Sequence, residues 1–414
     1  MESFSLERIL ADLNPGQREA VLHGAGPQLV VAGAGTGKTT VLTKRVAYLV
    51  AAKVCSAKEI LALTFTDKAA EEMESRVDQL VPYGYTDSTL CTFHAFGERV
   101  LREQGFLLGL NPDYRVLSGP EQLVFLRERL FDLPLEKLRP LGDPTKHLAI
   151  MLSNISRAKD EDVSPAAYQA FCQAKLQAAG GDEETVARWG KHAEMAEIYA
   201  RYQTWMMTAG FVDFGDLIVR TLELFRAHPD VLAEFRQRFT YLLVDEFQDT
   251  NLAQFELIQL LAGKSANLTA VGDDDQSIYK FRGAAISNIL QFTRLYPQAQ
   301  IRVLTENYRS GQEILDTAYR LIRHNDPERL EIKHGLDKRL VSTRGPGMPV
   351  MFHAFDTVSA EADWMAVRIQ QAHTQGRAWP DFCILVRSNS QADPFMRALN
   401  LRGIPFRFSG SQGL

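Results

Sequence analysis

A glycine-rich segment with a lysine and two threonines is the first feature of this chain that could do chemistry. It follows the apolar run 28–33 and precedes a helical pattern, so its backbone N–H groups can turn inward around a phosphate. Lys38 would reach the β and γ phosphates of a nucleotide, and the Thr39 hydroxyl would be a ligand of Mg²⁺. An unliganded glycine-rich turn is the alternative. The predicted nucleotide-binding residues of this segment are Ala32, Gly33, Ala34, Gly35, Thr36, Gly37, Lys38, Thr39 and Thr40.

An acidic pair follows another apolar run and could supply the second half of a phosphate site. Residues 240–244 predict a buried strand, which would bring Asp245 and Glu246 to a strand end facing the phosphates. Asp245 would hold Mg²⁺, and Glu246 would orient and deprotonate the attacking water. Alone, the pair is also compatible with a surface acidic turn. Together with the glycine-rich segment, it predicts a hydrolase of ATP or GTP.

Short apolar runs beside long helical patterns predict the elements that position these residues. This rhythm is typical of an α/β fold with a parallel sheet, whose ligands bind at the carboxyl ends of the strands. Residues 111–209 are rich in Ala, Gln, Glu and Leu and contain no convincing strand, so we expect a helical insertion there. The predicted strands of the first sheet are 28–33, 59–65, 88–93, 240–246 and 267–273.

A second series of strands and helices is predicted after residue 284. We expect a first domain of residues 1–110 and 210–284, interrupted by the insertion of residues 111–209. A partial second domain would occupy residues 285–414 and would be cut short directly after its last strand. The predicted strands of this second domain are 301–308, 349–355, 381–387 and 404–410.

Composition and charge exclude several classes of protein. Hydrophobic residues make up 45% of the 414 residues and charged residues 23%, which is typical of a globular chain. The 46 basic and 51 acidic residues give a net charge of −5, so a uniformly basic surface is excluded while a local cationic groove is not. Four scattered cysteines indicate reduced thiols rather than structural zinc. Without a signal-peptide pattern or a long apolar run, we expect a soluble, cytoplasmic protein with no membrane partner.

Five further segments carry distinctive patterns: 14–17, 63–73, 92–96, 271–284 and 304–310. In that order they resemble the Q motif and motifs Ia, Ib, III and IV of the UvrD, Rep and PcrA family of superfamily 1 DNA helicases, and the resemblance covers essentially the whole chain. The resemblance implies two RecA-like domains that use ATP and Mg²⁺. It also implies binding to single-stranded DNA or to DNA with a 3′ single-stranded tail, with 3′ to 5′ movement in repair or replication and with repair or replication proteins as partners.

The resemblance also implies roles for individual residues. Gln17 would read the adenine edge, Tyr308 would cover the adenine, and Arg309 would reach the γ-phosphate from the second domain. Gln276 would sense the γ-phosphate. The predicted catalytic set is therefore Lys38, Asp245, Glu246, Gln276 and Arg309. The predicted DNA contacts combine hydroxyl, ring and basic groups, as single-strand sites do: Thr64, Phe65, Lys68, Thr92, His94, Tyr279, Phe281 and Arg282.

Some of these segments have structural interpretations as well. We expect Phe93 and Phe96 to lie in the core, and Lys68 could be solvated at a helix start. Asp213 and Asp216, in the segment Asp-Phe-Gly-Asp-Leu, match the family, but helix N-capping explains them equally well.

The chain departs from the family pattern in three respects. Thr40 stands where family members frequently have an arginine that packs on the adenine, and Phe281 stands where a tryptophan is frequent. Motifs V and VI are absent, so we expect this chain to bind nucleotide and DNA with impaired turnover.

Three functions are compatible with these motifs. The leading hypothesis is an ATP-dependent DNA helicase or translocase on single strands. The second is the motor part of a helicase–nuclease of the RecB or AddA type, whose motor motifs would look alike. The third is a non-motor module that binds DNA or a partner, against which the complete catalytic set speaks.

Overall fold

A computed structural model describes residues 6–81, 88–140, 142–263, 267–278 and 286–409 of the chain. These residues form two compact units that divide between Met348 and Pro349. Among them, no helix has both the length and the apolar character that a bilayer crossing requires.

The strands of the described residues are β1 (Gln28–Ala32), β2 (Ile60–Thr64), β3 (Thr89–Thr92), β4 (Arg115–Leu117), β5 (Phe211–Asp213), β6 (Tyr241–Val244), β7 (Asn267–Gly272), β8 (Gln300–Leu304), β9 (Glu306–Asn307) and β10 (Val341–Ser342). The α-helices are α1 (Leu6–Leu10), α2 (Pro15–Val21), α3 (Lys38–Ala51), α4 (Asp67–Leu80), α5 (Phe93–Gln104), α6 (Gly119–Glu128), α7 (Leu148–Asp160), α8 (Pro165–Ala178), α9 (Glu183–Thr208), α10 (Phe214–Ala227), α11 (Pro229–Arg238), α12 (Leu252–Ala262), α13 (Ile286–Leu295), α14 (Gln312–Ile322), α15 (Leu330–His334), α16 (Val358–Thr374) and α17 (Asp393–Leu401).

A six-stranded parallel sheet in the order β3-β2-β6-β7-β1-β8 is the centre of the first unit. Side chains of successive strand residues point to opposite faces, so Leu29 and Val31 join one hydrophobic cluster while Val30 and Ala32 join the other. Both faces are covered by helices, which explains why the strands are apolar throughout rather than alternating. The predicted α/β fold and the five predicted strands of the first sheet are confirmed.

The sixth strand of this sheet comes from a segment that was predicted to belong to the second domain. Residues 301–308 are predicted to form a strand of the second domain, but β8 pairs with β1, with Gln28 opposite Gln300 and Ala32 opposite Leu304. β8 thereby satisfies backbone groups of β1 that would otherwise be left at an open edge. The first compact unit accordingly continues well past residue 284, to Met348.

The helical insertion begins and ends at a two-stranded parallel pair, in which Arg115 of β4 lies opposite Phe211 of β5. The predicted helix-rich character of residues 111–209 is confirmed by α6 to α9. The prediction that this stretch contains no strand was wrong, because β4 lies within it. With three residues, β4 is too short to show the alternating pattern of a strand in the sequence. The insertion has its own core, which includes Leu126, Ile198 and Tyr202.

The second unit contains α16 and α17, which pack on each other. Phe382, Ile384 and Val386 alternate toward that core as the residues of a strand would. A strand also needs a hydrogen-bonded neighbour, and none is assigned within residues 349–409. The prediction of strands is therefore not met in the described parts of 349–355, 381–387 and 404–410.

Candidate active site

Loops from four neighbouring strands meet at the carboxyl edge of the first sheet. The loop after β1 carries Lys38, the loop after β6 carries Glu246, the loop after β7 carries Gln276, and the short β9 follows β8 with Asn307. Hydrogen bonds join each of the other three loops to the loop after β1. Residues that are more than 200 positions apart therefore surround one small volume, as expected for a parallel sheet.

The loop after β1 has a backbone that only glycine accommodates at two positions. Gly35 and Gly37 have φ angles of +79° and +87°. A Cβ on Gly37 would lie 2.7 Å from Gln17 Nε2, and a Cβ on Gly35 would lie 2.6 Å from Arg309 Cβ. α3 begins at Lys38, directly after this turn, so the loop presents backbone N–H groups at a helix N-terminus. The flanking predicted residues are Ala32, which is fully buried, and Thr39 and Thr40, which are half-buried.

The Lys38 ammonium joins the predicted base and the predicted sensor. Its Nζ donates to Glu246 Oε2 and, at 3.3 Å, to Gln276 Oε1. Glu246 has a φ of +46°, in the left-handed region that a residue with a side chain rarely adopts. Such a conformation costs on the order of 1–3 kcal/mol and persists where the surroundings hold it. Here Gln248 Nε2 donates to Glu246 Oε2 at 2.7 Å.

Asp245 is a buried carboxylate with a perturbed pKa. Only 6% of its surface is exposed, and its Oδ1 accepts from the backbone N–H of Glu246 at 2.9 Å. Burial and the adjacent Glu246 carboxylate raise the pKa of Asp245 to about 6. A hard cation would favour the ionised form, and carboxylate and hydroxyl oxygens such as those of Asp245 and Thr39 are the kinds of ligand that Mg²⁺ prefers. The residues present therefore fit a magnesium ion.

Asp249 is a second perturbed carboxylate, which the sequence analysis missed. Burial and the Glu246 charge raise the pKa of Asp249 to about 7. Its Oδ1 is buried without a hydrogen-bond partner among the described residues. An acidic residue in a short turn gives no distinctive pattern, so only its surroundings reveal it.

The two residues predicted to contact adenine lie beside the glycine-rich loop. Gln17 is 3% exposed; its Oε1 accepts from Asn14 N at 3.2 Å and its Nε2 donates to Thr36 O at 2.9 Å. The amide thus supports the loop and keeps one N–H and one lone pair for a base. Tyr308 lies nearby, because its hydroxyl accepts from Asn14 Nδ2 at 2.8 Å and its backbone N–H donates to Gly35 O at 2.9 Å.

Asn307 links the loop after β1 to the turn that follows β9, and no pattern in the sequence singles it out. It is 1% exposed, and its Nδ2 donates to Ala34 O at 2.6 Å. Its Oδ1 accepts from the backbone N–H groups of Arg309 and Ser310 at 3.0 and 2.8 Å. Tyr308 and Arg309 both lie in the first compact unit, and their roles at the adenine and the γ-phosphate stay predictions. The Arg309 side chain is exposed beside the loop.

The predicted DNA contacts differ in what their side chains already bind. Thr64 is fully buried and its hydroxyl donates to Thr66 O at 3.0 Å, while the Thr92 hydroxyl caps α5 by accepting from Ala95 N at 3.2 Å. Their contact with DNA stays a prediction. Phe65 is half-buried and Lys68 is exposed at the start of α4. Phe93 and Phe96 are in the core, as expected. Three of the predicted contacts lie outside the described residues: Tyr279, Phe281 and Arg282.

An exposed ring beside His94 adds a candidate that the sequence analysis left out. Phe214 is 52% exposed, and its ring lies edge-on to His94 with 5.8 Å between ring centroids. Burial lowers the pKa of His94, although the Asp67 charge opposes the shift. Phe214 stands between the two aspartates of the Asp-Phe-Gly-Asp segment, at the first position of α10, which turns its ring outward. That position is the signal that could have revealed it.

Asp213 and Asp216 cap α10 rather than face the phosphate site. Asp213 Oδ1 accepts from Asp216 N at 2.9 Å, and Asp216 Oδ2 accepts from Asp213 N at 3.0 Å. Lys159 Nζ reaches both carboxylates, at 2.7 and 2.8 Å. The capping interpretation therefore accounts for both residues.

The parallel sheet, the glycine-rich loop and the acidic pair at its carboxyl edge define a P-loop protein with a RecA-like domain. Residues 13–297 match the family model of the UvrD/REP helicase N-terminal domain. Residues 302–414 match that of the UvrD-like helicase C-terminal domain. The chain belongs to the UvrD/Rep helicase family, and the resemblance seen in its motifs is confirmed.

The relatives include ATP-dependent DNA helicases of several bacteria. The helicase PcrA of Leuconostoc citreum is 38% identical over 409 residues, which cover 98% of this chain and 51% of that protein. PcrA of Bacillus subtilis is 37% identical, with 99% and 52% covered. UvrD1 of Mycobacterium bovis is 37% identical over 414 residues, with 98% and 50% covered. The chain spans about half the length of these curated relatives.

Proposed function

We propose that the chain is part of an ATP-dependent DNA helicase that couples ATP hydrolysis to 3′ to 5′ movement along single-stranded DNA in repair or replication. The observation that carries the proposal is the pair of contacts from the Lys38 ammonium to Glu246 and Gln276. These contacts support the proposal because the three side chains at the end of the sheet are those predicted to bind phosphate, to act as general base and to sense the γ-phosphate. Its partners would be a DNA with a 3′ single-stranded tail and proteins of repair or replication, in the cytoplasm.

Hydrolysis would begin when phosphates replace the carboxylate as the partner of Lys38. A γ-phosphate beside the glycine-rich loop would attract the ammonium, and Glu246 would then be free to orient a water and accept its proton. Thr39 and Asp245 would hold Mg²⁺, which when bound neutralises charge on the phosphate oxygens. Arg309 would add a second cation at the γ-phosphate from its position beside Gly35.

ATP would be recognised on the side of the loop where α2 lies. Gln17 would use its remaining N–H and lone pair for the adenine edge, and Tyr308 would cover the ring. Because Gln17 also supports Thr36 of the loop, base recognition and phosphate binding would depend on one side chain.

Single-stranded DNA would lie across the ends of β2 and β3. Lys68 supplies an exposed cation for phosphates, and Phe65, His94 and Phe214 supply rings for bases. Motif III would link this surface to ATP, since Gln276 contacts Lys38 and the chain continues toward the predicted DNA contacts at Tyr279 and Phe281. One segment that touches both ligands can couple their states.

Steady-state ATP hydrolysis by this chain, with and without oligo-dT, tests the proposal directly. We expect hydrolysis that oligo-dT stimulates and that Lys38→Ala abolishes. A well-folded chain that neither binds nor hydrolyses ATP would overturn the motor function and favour a non-motor module. Hydrolysis that is insensitive to oligo-dT would overturn the coupling to DNA.

Phe214→Ala is expected to weaken the binding of oligo-dT by about tenfold, because stacking of one base on an aromatic ring contributes ~1–3 kcal/mol. Fluorescence anisotropy of a labelled oligonucleotide measures the change. Phe131→Ala is the matched control, since Phe131 is 95% exposed on the helical insertion and has no place in the proposed path. Equal affinities of Phe214→Ala and the unsubstituted chain would remove Phe214 from the DNA site.

A further inference from the structure

Three consecutive aspartates directly after β7 form a concentrated patch of negative charge. One carboxylate oxygen from each of Asp273, Asp274 and Asp275 lies within 4.8 Å of the others. Asp273 and Asp274 are 5% and 8% exposed, so water screens their mutual repulsion poorly. Such an arrangement needs a cation to be stable.

Lys338 supplies this cation from 63 residues beyond the last aspartate. Its Nζ donates to Asp273 Oδ1 at 2.7 Å, to Asp275 Oδ2 at 2.9 Å and to an oxygen of Asp274. Lys338 is 7% exposed. Burial disfavours its charged form, yet the three carboxylates raise the pKa of Lys338 overall. The ammonium thus lies among three carboxylates whose oxygens are close enough together to serve as ligands of one cation.

Arg329 and Leu330 add further hydrogen bonds to two of the three aspartates. The Arg329 guanidinium binds both oxygens of Asp275 at 2.7 Å. The backbone N–H of Leu330, at the start of α15, donates to Asp274 Oδ2 at 2.7 Å. Each aspartate is thereby tied to the segment 329–338, which the proposed hydrolysis does not otherwise use.

One aspartate connects Lys338 to the predicted sensor. Asp273 Oδ1 binds Lys338, while Asp273 Oδ2 accepts from Gln276 Nε2 at 2.7 Å. The other end of the Gln276 amide, Oε1, accepts from Lys38 at 3.3 Å. The orientation of this amide, with its oxygen toward the phosphate lysine, thus depends on the position of the Asp273 carboxylate.

We propose that Lys338 is a positioning residue for ATP hydrolysis, which holds Asp273 and through it fixes the orientation of the Gln276 amide, with Oε1 toward Lys38, beside the γ-phosphate site. The inference rests on the proposed function and adds to it a residue outside the helicase motifs of this chain. Without the ammonium, the three carboxylates would repel one another, and among the described residues Arg329 would be the cation left in contact with them. Asp273 would then move and Gln276 would lose its orientation, while the glycine-rich loop would keep its contacts with Gln17 and Asn307.

The test compares Lys338→Met with Lys333→Met in oligo-dT-stimulated ATP hydrolysis and in nucleotide titration. Lys333 is an exposed lysine of the same segment that pairs with Glu328. We expect Lys338→Met to lower kcat by about tenfold or more with a change below about threefold in ATP affinity, since the interaction matters at the transition state. Lys333→Met should leave both unchanged, and Lys338→Arg should restore part of kcat.

The outcomes separate the inference from the proposed function. If the unsubstituted chain shows no DNA-stimulated hydrolysis, the proposed function fails; if it does and Lys338→Met has the same kcat, only the inference fails. Parallel losses of folded fraction, nucleotide affinity and kcat would show a merely structural lysine and would overturn it too.

Should Lys338→Met not fold, the double variant Lys338→Met with Asp274→Asn, which lowers the excess charge, is compared with Asp274→Asn alone. A lower kcat at equal ATP affinity in the double variant supports the inference. Equal kcat values, or a double variant that also fails to fold, overturn it.

Discussion

Glu246→Gln is expected to lower kcat for ATP hydrolysis by at least about a hundredfold, because loss of a positioned general base removes about 10²–10⁴ in rate. The amide keeps the shape of the side chain and can still accept from Gln248, so the turn after β6 should survive. The substitution also removes a negative charge next to Lys38 and Asp245. Lys38 would then be more available to phosphates, and we expect ATP affinity to be unchanged or higher.

Single-turnover hydrolysis and titration with a fluorescent nucleotide measure the two effects separately. Glu234→Gln, on the exposed side of α11, is the matched control and should alter neither. Lys38→Ala provides the contrast, since it should impair nucleotide binding as well as turnover. A Glu246→Gln variant that hydrolyses ATP within about twofold of the unsubstituted chain would remove Glu246 from the role of general base.

Lys159→Met is expected to destabilise the first compact unit by about 3–5 kcal/mol, the usual consequence of leaving a buried charge without its partner. Lys159 and the two carboxylates that it binds are each at most 5% exposed. Tyr202 and Gln203 donate to Asp213 and Asp216 at 3.1 and 2.8 Å, but neither carries a charge. Lys159 lies on α7 and the aspartates cap α10, so the loss would also loosen the insertion from the sheet domain.

Denaturant unfolding at several pH values measures this effect. Burial and the Asp216 charge already raise the pKa of Asp213, and loss of Lys159 would raise it further. An acid with a raised pKa in the folded state binds protons on folding, so the deficit of the variant should shrink as the pH falls from about 8 to about 5.

Two controls accompany the measurement. Lys191→Met, at an exposed position of α9, should change the free energy of unfolding little. Adding Asp213→Asn and Asp216→Asn to Lys159→Met should recover much of the loss, because no buried charge remains. A Lys159→Met variant as stable as the unsubstituted chain at about pH 8 would contradict the buried ion pair.

Local sequence patterns were sufficient to predict those features whose residues are neighbours both in the chain and in the folded structure. The glycine-rich loop, Lys38 and Thr39 follow one another directly, so their composition predicts a phosphate site without knowledge of the fold. The five apolar strands of the first sheet were predictable for the same reason, since a strand that is buried on both faces is an apolar run in the sequence. The helical insertion was predictable from its local composition. The family motifs were recognisable in the same way, because each is a short, continuous segment of the chain.

Contacts between distant segments were decided by tertiary structure alone. A strand pattern at 300–304 says that the segment is extended, but not that β1 is its partner, because hydrogen-bonded pairing depends on which edge remains open. Lys338 and the aspartates after β7 carry no mutual signal in sequence, since any lysine could balance any carboxylate. Asn307 and Phe214 became candidates only through their neighbours in the structure, which are the glycine-rich loop for Asn307 and the His94 ring for Phe214. Sequence sets the chemistry that each segment can offer, whereas packing determines which of those groups meet.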